Sequence, residues 1–201
     1  MSSPGAASIR SALRSRIAGR LRHRRASLPI SLAALVPADG SLLGAVPLDD
    51  GARWAVATAR YLTVVGARGV ELRRGWHEVE HGRWDADAAT FTLTWTDKGR
   101  SPLDLVVAAQ VDQGGRPVPV DVSHFARALR QGVESAVVHS VSGQLPSGTR
   151  VTVSVRRDGA GQLYTTSNLS SHVVGGLDGA DRDALEDLFR RARDGVGLPT
   201  S

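Results

Sequence analysis

The sequence predicts an α+β fold: an antiparallel β-roll closed by a helix, followed by a β-hairpin and a C-terminal helix packed against it. Three observations carry this reading. Residues 90–96 alternate threonine with Phe91, Leu93 and Trp95, the period of two of a half-buried strand. All four tryptophans, Trp54, Trp76, Trp84 and Trp95, fall between residues 53 and 95, and indoles of that size mark a core. Phe125, Leu129, Val133 and Val137 recur every four residues, which is one face of a helix.

In chain order, residues 1–8 read as an unstructured start. Ile9, Leu13, Ile17 and Leu21 then form an apolar stripe on a short basic amphipathic helix carrying Arg10, Arg14, Arg16, Arg20, Arg22, Arg24 and Arg25. Residues 26–38 are uncharged and resemble an export signal, even a twin-arginine one through Arg24-Arg25. Pro29 and Pro37 interrupt that run and no clean Ala-x-Ala site follows, so it reads as a linker. It is also shorter than the roughly 20 apolar residues of a membrane-spanning helix.

A first strand is expected near Leu42 to Val46. Trp54–Thr58 and Tyr61–Val65 form a strand pair or one bent strand, ended by Gly66-Ala67-Arg68-Gly69. His77 to Trp84 reads as the partner of the 90–96 strand across a turn at 85–89. Another turn at 97–100 leads to a strand at 103–107, and residues 110–119 read as a Gly/Pro loop. Asp121 or Ser123 caps a helix running to about Val138. In the last third, Thr149–Arg157 turns Val151, Val153 and Val155 inward and Arg150, Thr152, Ser154 and Arg156 outward, and 163–169 returns. Asp178 opens a final helix burying Leu185, Leu188, Phe189 and Ala192. Its acids lie at the start and Arg190, Arg191 and Arg193 at the end, matching the helix dipole. Three regions result: a basic arm (1–28), the β-roll with its closing helix (29–140), and a hairpin-plus-helix unit (141–201).

Charge is unevenly spread. The net charge is +5, yet residues 1–28 hold seven Arg and no Asp or Glu; taking those seven away leaves the rest at −2. Only Lys98 is a lysine, an arginine bias that a GC-rich genome would also produce, so the high pI is weak evidence for a nucleic-acid partner. The chain has no cysteine, which excludes disulfides and thiolate metal sites and fits a cytoplasmic protein.

His77-Glu78-Val79-Glu80-His81 matches H-E-x-x-H, the zinc-protease signature. That chemistry needs a helix, where residues four apart can both reach one zinc at about 2 Å. Gly75 and Gly82 bracket too few residues for a stable helix, and in a strand the two imidazoles sit about 13 Å apart. The weak alternative of a zinc hydrolase would use His77, Glu78 and His81. Asp85 and Asp87 read as turn residues rather than paired catalytic acids. No phosphate-binding loop, nucleophile elbow or calcium loop is present, and nothing calls for a cofactor.

Val56-Ala57-Thr58-Ala59-Arg60-Tyr61-Leu62-Thr63-Val64 resembles the opening hairpin of bacterial PH-like and GRAM-like domains, and Trp76-His77-Glu78-Val79 resembles a later strand of that fold. The resemblance implies that the roll is PH-like, with the 123–138 helix closing it. From about 50 to 198 the chain resembles an uncharacterised actinobacterial protein family through Arg83-Trp84-Asp85 and Val133-Glu134-Ser135-Ala136-Val137-Val138, which implies no activity. A Lys/Arg cluster in the first hairpin loop is absent.

The reading that follows is a non-catalytic intracellular interaction module. Its Arg-rich arm (Arg10, Arg14, Arg16, Arg20, Arg22, Arg24, Arg25) would contact an anionic membrane surface, placing it at the inner membrane face, or a partner protein. Non-specific nucleic-acid binding through the arm is the other alternative.

Overall fold

The computed structural model describes residues 25–38 and 40–198. Strands β1 (Leu42–Leu48), β2 (Arg53–Thr58), β3 (Tyr61–Gly66) and β4 (Gly69–Gly75) form an antiparallel meander in that order. A single 3-10 turn, Trp76–Glu78, then hands the chain to a second meander of β5 (Val79–Asp85), β6 (Thr90–Trp95) and β7 (Leu103–Val106). The two sheets meet at one corner through an antiparallel bridge between Leu48 and Val107, backed by the Asp49 N–H donating to Val106 O at 2.9 Å. Beyond them come a short hairpin, β8 (Gln110–Asp112) with β9 (Pro117–Pro119), and the helix Ser123–Ser135.

The first three strands of the first sheet send residues to two separate cores. One face supplies Val46, Leu48, Ala55, Ala57, Leu62 and Val64 to a core shared with Phe91, Trp95, Leu105 and the helix residues Phe125 and Leu129. The opposite face puts Trp54, Val56 and Val65 against Leu32, Ala108 and Val111. Leu32 belongs to a four-residue helix, α1 (Ile30–Ala33), so the stretch expected to be a linker instead lies over the outer face of this sheet. Within the apolar run 30–36, Leu32 and Val36 contribute to the cluster that holds Trp54.

Neither Asp121 nor Ser123 is the N-cap of the helix Ser123–Ser135, now α2: that position is Val122, without a side-chain cap bond, and Asp121 Oδ1 accepts the Ser123 N–H at 2.9 Å in the turn leading into the helix. It lies tightly on both sheets. A Cβ placed on Gly44 would be 2.7 Å from Phe125 Cα, and one on Gly132 would be 2.3 Å from Trp76 Cδ2, so both glycines are places of close approach. The helix ends at Ser135, short of the expected Val138, because Val137 begins a strand.

That strand, β10 (Val137–Gln144), pairs with β11 (Arg150–Arg157), which pairs with β12 (Leu163–Ser167). The expected hairpin is thus a three-stranded antiparallel sheet. Its inner face, Val151, Val153 and Val155, meets Leu185, Leu188 and Ala192 of α4 (Gly179–Asp194), which follows a one-turn helix, α3 (Ser171–Gly175). Asp178 caps α4, its Oδ1 accepting from the Asp181 N–H at 2.8 Å.

Gly69–Gly75, for which the sequence predicts no element, is an edge strand. Three more expectations are corrected. Residues 110–119 form a hairpin rather than a loop. Residues 77–78 belong to the 3-10 turn, so the strand expected from His77 begins at Val79. Arg156 does not face outward: it is 2 % exposed, because β11 meets the first unit at that point. Among the described residues no helix is long and apolar enough to cross a membrane.

Candidate functional site

The place where separately folded pieces meet is the seam between the first unit and the β10–β12 sheet. The turn Trp76–Glu78 lies on it, and three of its neighbouring carbonyls are taken up from across the seam. Arg156 Nη2 donates to Trp76 O at 3.2 Å and to Val79 O at 2.6 Å, and Tyr164 Oη donates to His77 O at 2.6 Å. The Arg157 N–H adds a backbone bond to Ala136 O at 3.0 Å. Burial pushes the Arg156 guanidinium below its ordinary value, opposed by Tyr164 and by the Glu80 carboxylate. Its Nε is buried without a hydrogen-bond partner among the described residues.

Two cavities open on opposite sides of this bolt. One, about 310 Å³, is lined by Arg60, Tyr61, Trp76, His77, Arg157 and the Asp158–Gly161 turn. The other, about 410 Å³, is a groove lined by Glu80, His81, Glu134, Ser154, Arg156 and Thr166. A neighbouring hollow of about 410 Å³ shares His81 and Glu134 and adds Trp84, Phe91 and Arg130.

This geometry decides how the H-E-x-x-H residues are used. His77 lines the first cavity and His81 the groove, so the two imidazoles open onto different spaces. The backbone changes from 3-10 turn to strand between them, with an irregularity in the β5–β6 register at Val79/His81. Glu78 is held by local contacts: its Oε1 accepts the Gly75 N–H at 3.0 Å, while Oε2 lies 3.5 Å from Arg100 Nη1 and 3.7 Å from Arg74 Nε. Glu80 pairs with Lys98. Among the described residues no three His, Asp or Glu side chains gather closely enough to hold a metal ion. Asp85 is a turn residue, its Oδ1 accepting from the N–H groups of Asp87 and Ala88, both at 3.0 Å.

Of the basic arm, Arg10, Arg14, Arg16, Arg20, Arg22 and Arg24 lie outside the described residues. Arg25 sits beside the start of α2, its Nη1 3.1 Å from both Asp121 Oδ2 and His124 Nε2. The Asp121 carboxyl is held below the usual carboxylate range, first by the hydrogen bonds from Ser123 and then by the charges of Arg25 and His124.

Sequence reasoning passed over Arg60, Arg157, Tyr164 and the buried state of Arg156. The only local trace of them is Arg60-Tyr61 in a tight hairpin and Arg156-Arg157 at a strand end next to a Gly-rich turn. No protein-family model matches the chain, and no curated protein or solved structure matches it either.

Proposed function

We propose that this chain is a non-catalytic interaction module that engages an anionic surface or an acidic partner through its arginine-rich segment. The observation that carries the reading is the segregation of charge: seven arginines and no acid in residues 1–28, against a remainder of net −2. Near an anionic lipid surface each such cation contributes about 1 kcal/mol, so the six that precede Arg25 give useful affinity together without a shaped pocket. Arg25, the last of the seven, is seated at Asp121 and His124, so the basic segment joins the body at the opening of the α2 helix.

The body is proposed as a PH-like roll. Support comes from the order of elements, four antiparallel strands, then three, then a helix across both sheets, with the corner bridge between Leu48 and Val107. The H-E-x-x-H run has a structural role in this reading, since the carbonyls of His77 and Val79 accept bonds from across the seam while Glu78 fixes its own turn through the Gly75 N–H.

Co-sedimentation tests the proposal. The full chain is expected to pellet with vesicles containing phosphatidylserine and not with purely zwitterionic ones, and the effect should weaken as salt rises. Replacing Arg10, Arg14, Arg16, Arg20, Arg22 and Arg24 with Gln should abolish pelleting. Unchanged pelleting of that variant rejects the arm as the contact, and equal affinity for duplex DNA would move the assignment to nucleic acid.

A further inference from the structure

We infer that the 310 Å³ cavity on the seam is a binding site for a phosphate-monoester anion. The inference is independent of the basic arm, since every residue of the cavity lies in the folded body.

Three groups able to carry or donate positive charge line the cavity from three separate elements: Arg60 from the β2–β3 turn, His77 from the 3-10 turn and Arg157 from the end of β11. Arg60 is exposed; its carbonyl accepts the Trp76 N–H at 3.4 Å, while its guanidinium makes no hydrogen bond or ion pair among the described residues. Arg157 makes only one side-chain bond there, Nη1 to Gly161 O at 3.3 Å. Most other arginines near this end of the molecule are already engaged: Arg74 with Glu78, Arg156 with backbone carbonyls, and Arg73 over the Tyr61 ring at 3.8 Å. Arg60 and Arg157 thus stand out as exposed guanidinium groups facing the same hollow across two units.

The one acid in the lining, Asp158, is occupied by its own turn. Its Oδ1 accepts from the N–H groups of Ala160 at 2.9 Å and Gln162 at 2.8 Å. Those bonds shape the Gly-rich turn that carries Gly159 and Gly161 into the cavity wall. The His77 ring is packed between glycines: a Cβ on Gly75 would lie 2.4 Å from its Cε1 and one on Gly159 would lie 3.5 Å away. That leaves the imidazole half-buried in the wall with little freedom to turn away.

Donors arriving from three directions suit a tetrahedral oxyanion, whose oxygens also point in several directions. A planar carboxylate is satisfied by one guanidinium fork on one edge and needs no second arginine on the far wall. The volume exceeds that of a bare phosphate, and Ala59, Tyr61 and Ala136 in the lining leave an apolar side for the group esterified to it.

Inorganic phosphate and a lipid headgroup share this chemistry, and the test separates them. Phosphate is titrated into the full chain at low ionic strength and followed by amide resonances of residues 59–61 and 157–161, with the arm arginines replaced by Gln to remove their contribution. Saturable shifts confined to those amides are expected. Arg60→Gln and Arg157→Gln should each weaken binding at least tenfold, and Arg68→Gln, on the β3–β4 turn, should leave it unchanged. Vesicles containing phosphatidic acid are then compared with phosphatidylserine vesicles in the same arm-substituted background. Pelleting with the former alone, lost in Arg60→Gln, assigns a lipid monoester. Phosphate binding without pelleting assigns a soluble one. Absence of saturable shifts, or equal affinity in Arg60→Gln and Arg157→Gln proteins that keep a native spectrum, overturns the inference. Loss of arm-dependent pelleting would leave these outcomes untouched, so the two proposals fail separately.

Discussion

Arg156 Nη2 stands 2.6 Å from the carbonyl oxygen of Val79, a residue 77 positions earlier in the chain. The contact joins a strand of the last sheet to the first residue of β5, and the same nitrogen reaches Trp76 O at 3.2 Å. A buried guanidinium is expensive to desolvate, and two backbone carbonyls with a tyrosine hydroxyl nearby recover only part of that cost. Its value lies in geometry. The fork fixes where the 3-10 turn sits, and with it the walls of both cavities.

Removing the fork should therefore weaken the whole molecule. Arg156→Ala strands two buried carbonyls and opens a void, and is expected to lower unfolding free energy by about 3 kcal/mol. Urea denaturation measures this as a fall in the midpoint. Arg156→Lys should recover less than half of the loss, because Nζ ends one bond short of the Nη2 position and an ammonium is costlier to bury than a guanidinium. A wild-type midpoint in Arg156→Ala would mean that the seam is held elsewhere. Tyr164→Phe, which removes only the bond to His77 O, should cost about 1 kcal/mol.

The second prediction concerns helix α2 and its closest neighbour. Gly132→Ala would press a methyl against the Trp76 indole, whose Nε1 is meanwhile fixed by a 2.9 Å bond to Thr58 O. The ring cannot retreat without breaking that bond, so overpacking of about 1–3 kcal/mol is expected. Thermal melts followed by tryptophan fluorescence report both the loss of stability and the altered indole environment. Gly69→Ala tests a different cause: nothing crowds a Cβ there, but the φ of +119° is strained for any other residue. It should cost about 1 kcal/mol without moving the fluorescence of the folded state.

The third prediction is about metal. His77 and His81 face different cavities and Glu78 is held by Gly75, Arg74 and Arg100, so this run does not assemble a zinc site. Protein purified without an affinity tag should hold no stoichiometric zinc, and its melting temperature should not move when EDTA is added. A fall on EDTA that zinc restores would reinstate the hydrolase reading.

What the sequence conveyed about this fold depended on how local each cause was. Thr90–Trp95 was legible because burial there follows a strict alternation, and the start of α4 because Asp178 acts on an N–H three residues away. Gly69–Gly75 was not, since an edge strand carrying Glu71, Arg73 and Arg74 looks like a polar turn. Val137 fitted the helical stripe of α2 equally well, and only pairing with Arg156 in the neighbouring strand makes it extended. Arg156 itself breaks the alternation of β11: Val155 and Arg156 are both buried, one in the α4 core and one in the seam. The candidate site was hidden for the same reason. Arg60, His77 and Arg157 meet through a contact between units, and no spacing in the chain encodes that.

The last prediction turns on Asp121, which lies in the turn leading into α2 and receives Arg25. Its folded-state pKa lies below the ordinary carboxylate value of 3.8, first because the Ser123 N–H and hydroxyl hydrogen-bond to the ionised form, then through Arg25 and His124. The unfolded chain therefore takes up a proton at this position before the folded chain does. The sign follows: the contribution is fully present above the unfolded value, near pH 4, and is lost as pH falls through the lower folded value. In Asp121→Asn the acid still has an oxygen for the Ser123 N–H but no charge, so the helix start survives while the proton linkage disappears. Melting temperatures of the two proteins should differ near neutral pH and converge between pH 4 and pH 2. Because the Asp121 side chain is 31 % exposed and Arg25 61 %, added salt should shrink the difference at neutral pH without abolishing it. A constant offset at every pH would assign the whole effect to neutral hydrogen bonding and leave Arg25 with no electrostatic hold on the helix.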